Sequence, residues 1–437
     1  MEYTVPLSAI QRYTDTFRLT ATTLYGGSSV SSELTTGYIT NPHILTSAKD
    51  AVPGWVCERS AANGYTKATG DTYLEVWSPT AEVMAFDYHQ DIADLPAGVY
   101  ELRAVCFNST NNVSGASVNG NVGLYALADD VEYFAPVTVD SEIDYGRETV
   151  IGRILVRGGA MRIGIRNQGV MSARWAGADN FRLICLGTED EVLGGEGDRF
   201  LADAAKRRDE QLAAVCPDAE QGGRDASSLI KNTDCLRADL YGWTTRNQET
   251  RSGQSWDGDS GNSYFDVYGQ GSLASSMTQA VAYLPAGDFT LSALMRCTTG
   301  QSVTLQAVHR SRNGEETVYQ ETLTGIGDQT VDGSPYQRGW QKVTLPAFTA
   351  QSGDRLTVNA FISAQTTAWW SVDHFMLQWD DAGSTGVERV PGSGFQVSGG
   401  DEWYDISGRR LNSRPTRKGI YINRGRKILF QTPGSVE

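Results

Sequence analysis

The stretch DLPAGVYEL (Asp94–Leu102) has a near-copy, YLPAGDFTL (Tyr283–Leu291), 189 residues further along the chain. Pro fixes φ near the value that the second position of a β-turn needs, and Gly is favoured at the fourth, so Leu-Pro-Ala-Gly is a turn that feeds a strand. After the first turn, Tyr100, Leu102, Ala104 and Cys106 alternate with Glu101 and Arg103. After the second, Phe289, Leu291 and Ala293 alternate with Thr290 and Ser292. That period of two describes a strand with one face in a core.

The neighbours of the two turns repeat as well. YLEVW (Tyr73–Trp77) matches YFDVY (Tyr264–Tyr268) at offset 191, and YITNP from Tyr38 matches LIKNT from Leu229 at the same offset. Gly54-Trp55 matches Gly242-Trp243 at offset 188, and ADNFRL from Ala178 matches VDHFML from Val372 at offset 194. Five matches in one order at nearly one spacing describe a duplicated domain. The period is too long for a solenoid, so each copy is expected to have its own core.

The 437 residues suffice for two or three domains. Glycine is abundant (47 residues), and short alternating runs between turn signals outnumber amphipathic helical patterns, which is an all-β texture. A net charge of −15 argues against nucleic acid as a partner. The charge is uneven: Arg409 to Lys427 holds eight basic residues and no acid, leaving −15 − 8 = −23 elsewhere. The basic tail therefore reads as a separate unit. None of the six cysteines has zinc-site spacing, Cys106 and Cys185 fall on inward strand positions, and a chain of this size does not need a disulfide framework. No transmembrane run is present, and MEYTVPLSAI lacks a basic segment followed by an apolar one.

The expected architecture is all-β. Two tandem antiparallel β-sandwich (jelly-roll) domains, residues 34–188 and 226–382, are joined by a short helical spacer at 189–225. Residues 1–33 form an N-terminal segment that could end an upstream module. A linker rich in Gly and Ser spans 383–400, and a small β unit occupies 401–437. In the spacer, Asp198 caps a helix whose Leu201, Ala204, Ala205, Leu212 and Val215 share a face, and Pro217 stops it.

With these residues in hand, each repeat resembles a carbohydrate-binding module of the galactose-binding-like jelly-roll type. The likeness is carried by the NP start followed by GW, the central LPAG strand, the closing ADNFRL strand and, in the second copy, GWQKVTLPAFTA (Gly339–Ala350). The tail resembles the C-terminal sorting segment of type IX secretion cargo through YDISGRRL (Tyr404–Leu411) and KGIYINRGRKIL (Lys418–Leu429). The first resemblance implies glycan as partner. The second implies the type IX secretion machinery as partner, with a secreted or outer-membrane surface location. Many such modules carry a structural calcium at the last strand, where Asp179 and Asp373 stand. The alternative is that both carboxylates accept backbone hydrogen bonds at a strand start.

No residue pattern demands catalysis. DGDSGNS (Asp257–Ser263) contains the Gly-Asp-Ser-Gly of serine-protease nucleophile loops, but the four histidines stand in no triad context. Sugars present flat C–H faces that pack on Trp or Tyr while polar groups take the hydroxyls. Trp55 and Trp243 are assigned to the cores. Trp175 in MSARWAGAD and Trp369-Trp370 in TTAWWSVD precede the last strand at equivalent places, and Arg174 adds hydrogen-bond donors. Arg174, Trp175, Trp369 and Trp370 are the expected ligand residues, against the alternative of an aromatic plug at the sandwich end. Two adjacent Trp in extended chain cannot both face one core. The expected function is non-catalytic extracellular or cell-surface carbohydrate binding, alone or as the accessory part of a larger glycan-degrading protein. A structural surface protein or adhesin is the second reading and a glycoside-processing enzyme the third.

Overall fold

The computed structural model describes residues 32–45, 52–59, 73–77, 86–110, 121–138, 140, 146–168, 175–219, 222–235, 240, 242–246, 252–256, 263–381, 403–405, 410–411, 419–423 and 426–430. The first repeat contributes β1 (Ser32–Glu33), helix α1 (Thr35–Tyr38), β2 (Val56–Arg59), β3 (Leu74–Trp77), β4 (Phe86–Ile92), β5 (Gly98–Ser109), β6 (Val122–Ala128), β7 (Val131–Pro136), β8 (Arg147–Val156), β9 (Met161–Asn167) and β10 (Trp175–Gly187). Two helices follow, α2 (Glu189–Leu193) and α3 (Gly197–Val215). The second repeat contributes β11 (Arg224–Asp225), β12 (Thr244–Arg246), β13 (Ser252–Trp256), β14 (Ser263–Gly269), β15 (Leu273–Leu284), β16 (Gly287–Cys297), β17 (Ser302–Arg310), β18 (Glu316–Thr324), β19 (Gln341–Thr344), β20 (Phe348–Ala350), β21 (Asp354–Ala364) and β22 (Ala368–Asp381).

Each repeat is an antiparallel sandwich, and the two share one strand order. In the first, β10-β5-β8 forms one sheet with β1 and β3 also paired to β10, and β2-β4-β9-β6-β7 forms the other. In the second, β14-β22-β16-β19 forms one sheet with β11 also paired to β22, β13 added beside β14 and β20 beside β16, and β12-β15-β21-β17-β18 forms the other. Alternation builds both cores. Leu102, Ala104 and Cys106 of β5 share a core with Ile163 and Ile165 of β9, and Leu291, Ala293 and Met295 of β16 share one with Val358 and Ala360 of β21. The six cysteines are thiols, none in a disulfide.

The duplication extends to one hydrogen-bonded corner. Gln90 accepts from the Thr40 amide and donates to its carbonyl at 2.7 and 2.9 Å, and Gln279 does the same for Lys231 at 2.6 and 2.9 Å. Trp55 and Trp243 donate their indole N–H to the carbonyls of Asn41 and Asn232, and each ring lies 4.5 Å from Phe181 or Phe375. Gly54 (φ +83°) and Gly242 (φ +81°) bring the chain so close to this loop that a Cβ would fall 2.6 Å from Thr40 Cγ2 and 2.5 Å from Lys231 Cβ. Here left-handed φ and close approach both require glycine.

The spacer helix differs from the sequence reading. Asp198 lies in the first turn of α3 and does not cap it, since Glu196 holds the N-cap position. Leu201, Ala204 and Ala205 join the first core, while Leu212 and Cys216 join the second. The buried face also carries Arg208, which donates to Glu132 at 2.7 Å. Thus α3 is wedged into both sandwiches instead of spanning between them. Residues 380–437 form a second compact unit. Its described strands, β23 (Trp403–Asp405), β24 (Arg410–Leu411), β25 (Gly419–Asn423) and β26 (Arg426–Phe430), make one small antiparallel sheet in the order β24-β23-β25-β26. Residues 1–31, the Asp257–Gly261 loop and the 383–400 linker lie outside the described residues.

Candidate functional site

Alternation turns one row of side chains on β14, β16, β19 and β22 away from the second core. Phe265, Val267, Trp370 and Val372 point inward, so Tyr264, Asp266, Trp369 and Ser371 point outward. At the centre of this outer face sits Arg296, 8% exposed. Its guanidinium carbon lies 5.0 Å from the Tyr264 ring centre, 4.7 Å from Trp340 and 5.3 Å from Trp369. Arg296 donates to the Tyr264 hydroxyl at 2.8 Å, the Arg338 carbonyl at 3.0 Å and Ser371 Oγ at 3.3 Å, while Ser371 donates to Asp266 at 2.7 Å. Three aromatic faces and these acceptors offset part of the cost of burying the guanidinium. It fixes Tyr264 and Trp340 as a rigid wall.

Beside that wall lies an open groove of about 440 Å³. Ser292, Leu294, Lys342, Asp373, His374 and Met376 form its floor, and the loop Pro335–Arg338 with Trp340 forms its side. Two apolar patches, the Tyr336 ring and several donors and acceptors thus converge on one concavity. His374 holds φ +52° within β22 and bonds Asp234 through Nδ1 at 2.9 Å. That hydrogen bond raises the imidazole's pKa above its ordinary value, against the opposing effect of burial.

The first sandwich carries the same positions with different chemistry. Phe107 stands where Arg296 stands, Glu75 replaces Asp266 and Gly177 replaces Ser371. Phe107 packs edge-on to Tyr73 and Trp175 at 5.6 and 5.4 Å. Gly177 is required beneath it, since a Cβ would come 2.6 Å from the Phe107 ring. The groove floor is replaced too. Arg103, Glu148 and Arg182 occupy the places of Ser292, Lys342 and Met376. They are tied down by Arg103 to Glu101 and Glu148 at 2.5 and 3.0 Å, and by Arg182 to Glu33 at 2.8 Å. In the first repeat, ion-paired side chains occupy the positions that line the groove in the second.

The structure distributes the sequence candidates unevenly. Trp175 and Trp369 sit at equivalent places, opposite Trp77 and Tyr268 on the neighbouring strand. Both are half-buried, and Trp175 donates its indole N–H to Glu75. Trp370 is a correction: it is 0% exposed, packs edge-on to Phe265 at 5.2 Å and cannot reach a ligand. Strand alternation sends it inward once Trp369 faces out. Arg174 lies outside the described residues. Sequence reading missed Arg296, Trp340, Lys342 and Tyr336. The available signal was Arg296 itself, a charged residue in an apolar strand where the first repeat has Phe107.

Asp179 and Asp373, the expected calcium residues, each hold carboxylate oxygen Oδ1 buried at the last strand of their repeat. Among the described residues neither Asp179 nor Asp373 belongs to a group of three His, Cys, Asp or Glu side chains close enough to share an ion. The loop next to each is instead joined to the last strand by a histidine pair, His43 to Asn180 at 2.7 Å and His374 to Asp234, with the histidine on opposite partners in the two repeats. The group that does converge is Glu58, Asp87 and His89. The Lys231 ammonium of the second sandwich already binds Glu58 and lies 3.3 Å from Asp87. Burial pushes the Asp87 carboxyl up, but His89, Lys231 and Arg166 outweigh it and hold the pKa well below the ordinary value. This cluster is an ion pair across the sandwich interface.

No protein-family model and no curated protein matches the sequence. Among solved structures the chain is similar to a family 61 carbohydrate-binding module in complex with β-1,4-galactotriose, at 15% identity over 35% of this chain and 98% of that one, with a TM-score of 0.27. It is also similar to the CBM22-1–CBM22-2 tandem of Paenibacillus barcinonensis Xyn10C, at 12% identity over 82% of this chain and 100% of that one, with a TM-score of 0.28. A third likeness is to a family 51 α-L-arabinofuranosidase, at 12% identity over 37% of this chain and 27% of that one, with a TM-score of 0.25. Scores at this level say nothing about the function of this chain.

Proposed function

We propose that the chain is a non-catalytic carbohydrate-binding protein whose site is the groove on the outer face of the second sandwich. The observation that supports this is the contrast between the repeats. The same positions carry mutually ion-paired charges in the first copy and line a groove in the second, where Tyr336, Leu294 and Met376 offer apolar contact and Lys342, Asp373 and His374 offer hydrogen bonds. That mixture suits a ring with apolar C–H faces and equatorial hydroxyls. An open groove gains about −4 to −5.5 kcal/mol, so Kd is expected on the order of 0.1–1 mM for a short oligosaccharide.

The test is titration of the full chain with xylo-, gluco- and galacto-oligosaccharides, repeated with Tyr336→Ala and Lys342→Ala. Binding that survives both substitutions unchanged would place the site elsewhere. Release of new reducing ends during the titration would refute the non-catalytic reading. The basic tail is proposed as a type IX sorting signal that sends the chain to the cell surface or the medium. Deleting residues 401–437 in a host with that pathway is expected to abolish export, and unchanged export would remove the proposal.

A further inference from the structure

The outward edge of α3 faces strands β7 and β8 across a trough of about 540 Å³. Phe200, Ala204, Arg207, Arg208 and Gln211 fall on one helix face by their spacing of three and four. Across from them Gly152 has no side chain, with open space where its Cβ would stand, and Val150 is 38% exposed. Ala204 and Gly152 thus keep the trough open. Tyr133 and Phe200, stacked at 6.3 Å, form an apolar wall.

The charge of this trough runs against the chain's. Its lining holds Arg153, Arg207 and Arg208 and a single acid, Glu132. Glu132 is 1% exposed and already accepts from both Arg208 and Arg166 through the same oxygen. Arg103, Arg157, Arg162, Arg182 and Arg199 each have a carboxylate partner. Arg153 and Arg207, both exposed, have none among the described residues. On a chain with 52 acids, two exposed arginines that line one trough and have no carboxylate partner among the described residues make that trough locally basic.

We propose that this trough is a second binding site, separate from the groove of the second sandwich, for a sugar that carries an oxyanion. The sugar ring would pack against Tyr133, Phe200 and Val150, and its charged group would be held by Arg153 and Arg207 above the buried Arg208. A carboxylate and a sulfate share this chemistry, and planar guanidinium groups suit both.

The full chain is titrated with sodium galacturonate, galactose 6-sulfate, galactose and inorganic sulfate, each in low and in high NaCl. Both anionic sugars, or one of them, are expected to bind at least about tenfold more tightly than galactose, since only they can take charge-assisted hydrogen bonds from the two guanidinium groups. The stronger of the two identifies the oxyanion. Salt is expected to weaken the binding, because the rim charges are exposed to screening. The double substitution Arg153→Gln with Arg207→Gln removes no buried group and is expected to lose that preference while keeping the melting temperature. Lys342→Ala, in the other groove, is expected to leave it intact. Equal binding of galactose and the anionic sugars, or a preference that survives the double substitution, overturns the proposal. Inorganic sulfate binding as tightly as both anionic sugars also overturns it, because the ring would then contribute nothing.

Discussion

Replacing Trp370 and Trp369 separately by alanine tests how the sheet orients two adjacent tryptophans. Trp370 is fully buried and stacked edge-on to Phe265. An aromatic side chain buries about 150–250 Å². At ~25 cal/mol per Å² that is about 4–6 kcal/mol of transfer free energy. Part of it is kept by the remaining Cβ, and partial collapse of the cavity moderates the rest, so about 3–5 kcal/mol is the expected loss. Trp369 is half-buried and faces the Arg296 guanidinium at 5.3 Å, so its truncation is expected to cost about 1–2 kcal/mol. The assay is guanidinium unfolding followed by far-UV circular dichroism, with a tryptophan-independent probe in each sandwich, because two cores need not unfold in one step. Equal losses at the two positions, or a loss below about 1 kcal/mol at Trp370, would refute the assigned orientation. Trp370→Phe is expected to recover much of the loss, since the Trp370 indole N–H has no hydrogen-bond partner among the described residues.

Four further outcomes follow from the interface and the loops. Lys231→Met removes the ammonium that Glu58 and Asp87 share, and a loss of about 1–3 kcal/mol is expected in thermal unfolding. Because the folded pKa of Asp87 is depressed, its contribution is present above its unfolded pKa and is lost as the pH falls toward the folded value. Acid titration of stability is therefore expected to flatten in Asp87→Asn, and an unchanged acid limb would contradict the assignment. The His374 pKa is raised, so its link to Asp234 strengthens the fold below the unfolded imidazole pKa and weakens as the pH rises through the folded value. An NMR titration of His374 is expected to move down in Asp234→Asn and to stay put if the bond is absent. Gly54→Ala and Gly242→Ala each force a Cβ into the corner at positive φ, and each is expected to cost about 1–3 kcal/mol by denaturant unfolding.

The architecture was legible because it is written twice. Leu95 and Leu284 each stand in a turn that feeds a central strand, and Trp55 on Phe181 matches Trp243 on Phe375 to the same 4.5 Å. The groove was not legible, because its floor is assembled from strands distant in sequence. Leu294 meets Lys342 only through the pairing of β16 with β19, and no short motif encodes that register. Trp370 was misplaced although alternation already carried the answer: Trp370 and Val372 share one face and Trp369 and Ser371 the other. The spacer helix was visible as an apolar stripe, but Arg208 lies within that stripe. Its partner Glu132 is 76 residues away, so no local pattern announces a buried ion pair.

The groove reading is tested most directly by electrophoresis of the full chain through gels containing soluble xylan, β-glucan or galactan, alongside the Tyr336→Ala, Lys342→Ala double variant. The expected result is retardation of the native chain by at least one polysaccharide, lost in the double variant while its melting temperature is unchanged. Free migration in every gel, or retardation that persists in the double variant, would contradict a glycan site on the outer face of the second sandwich.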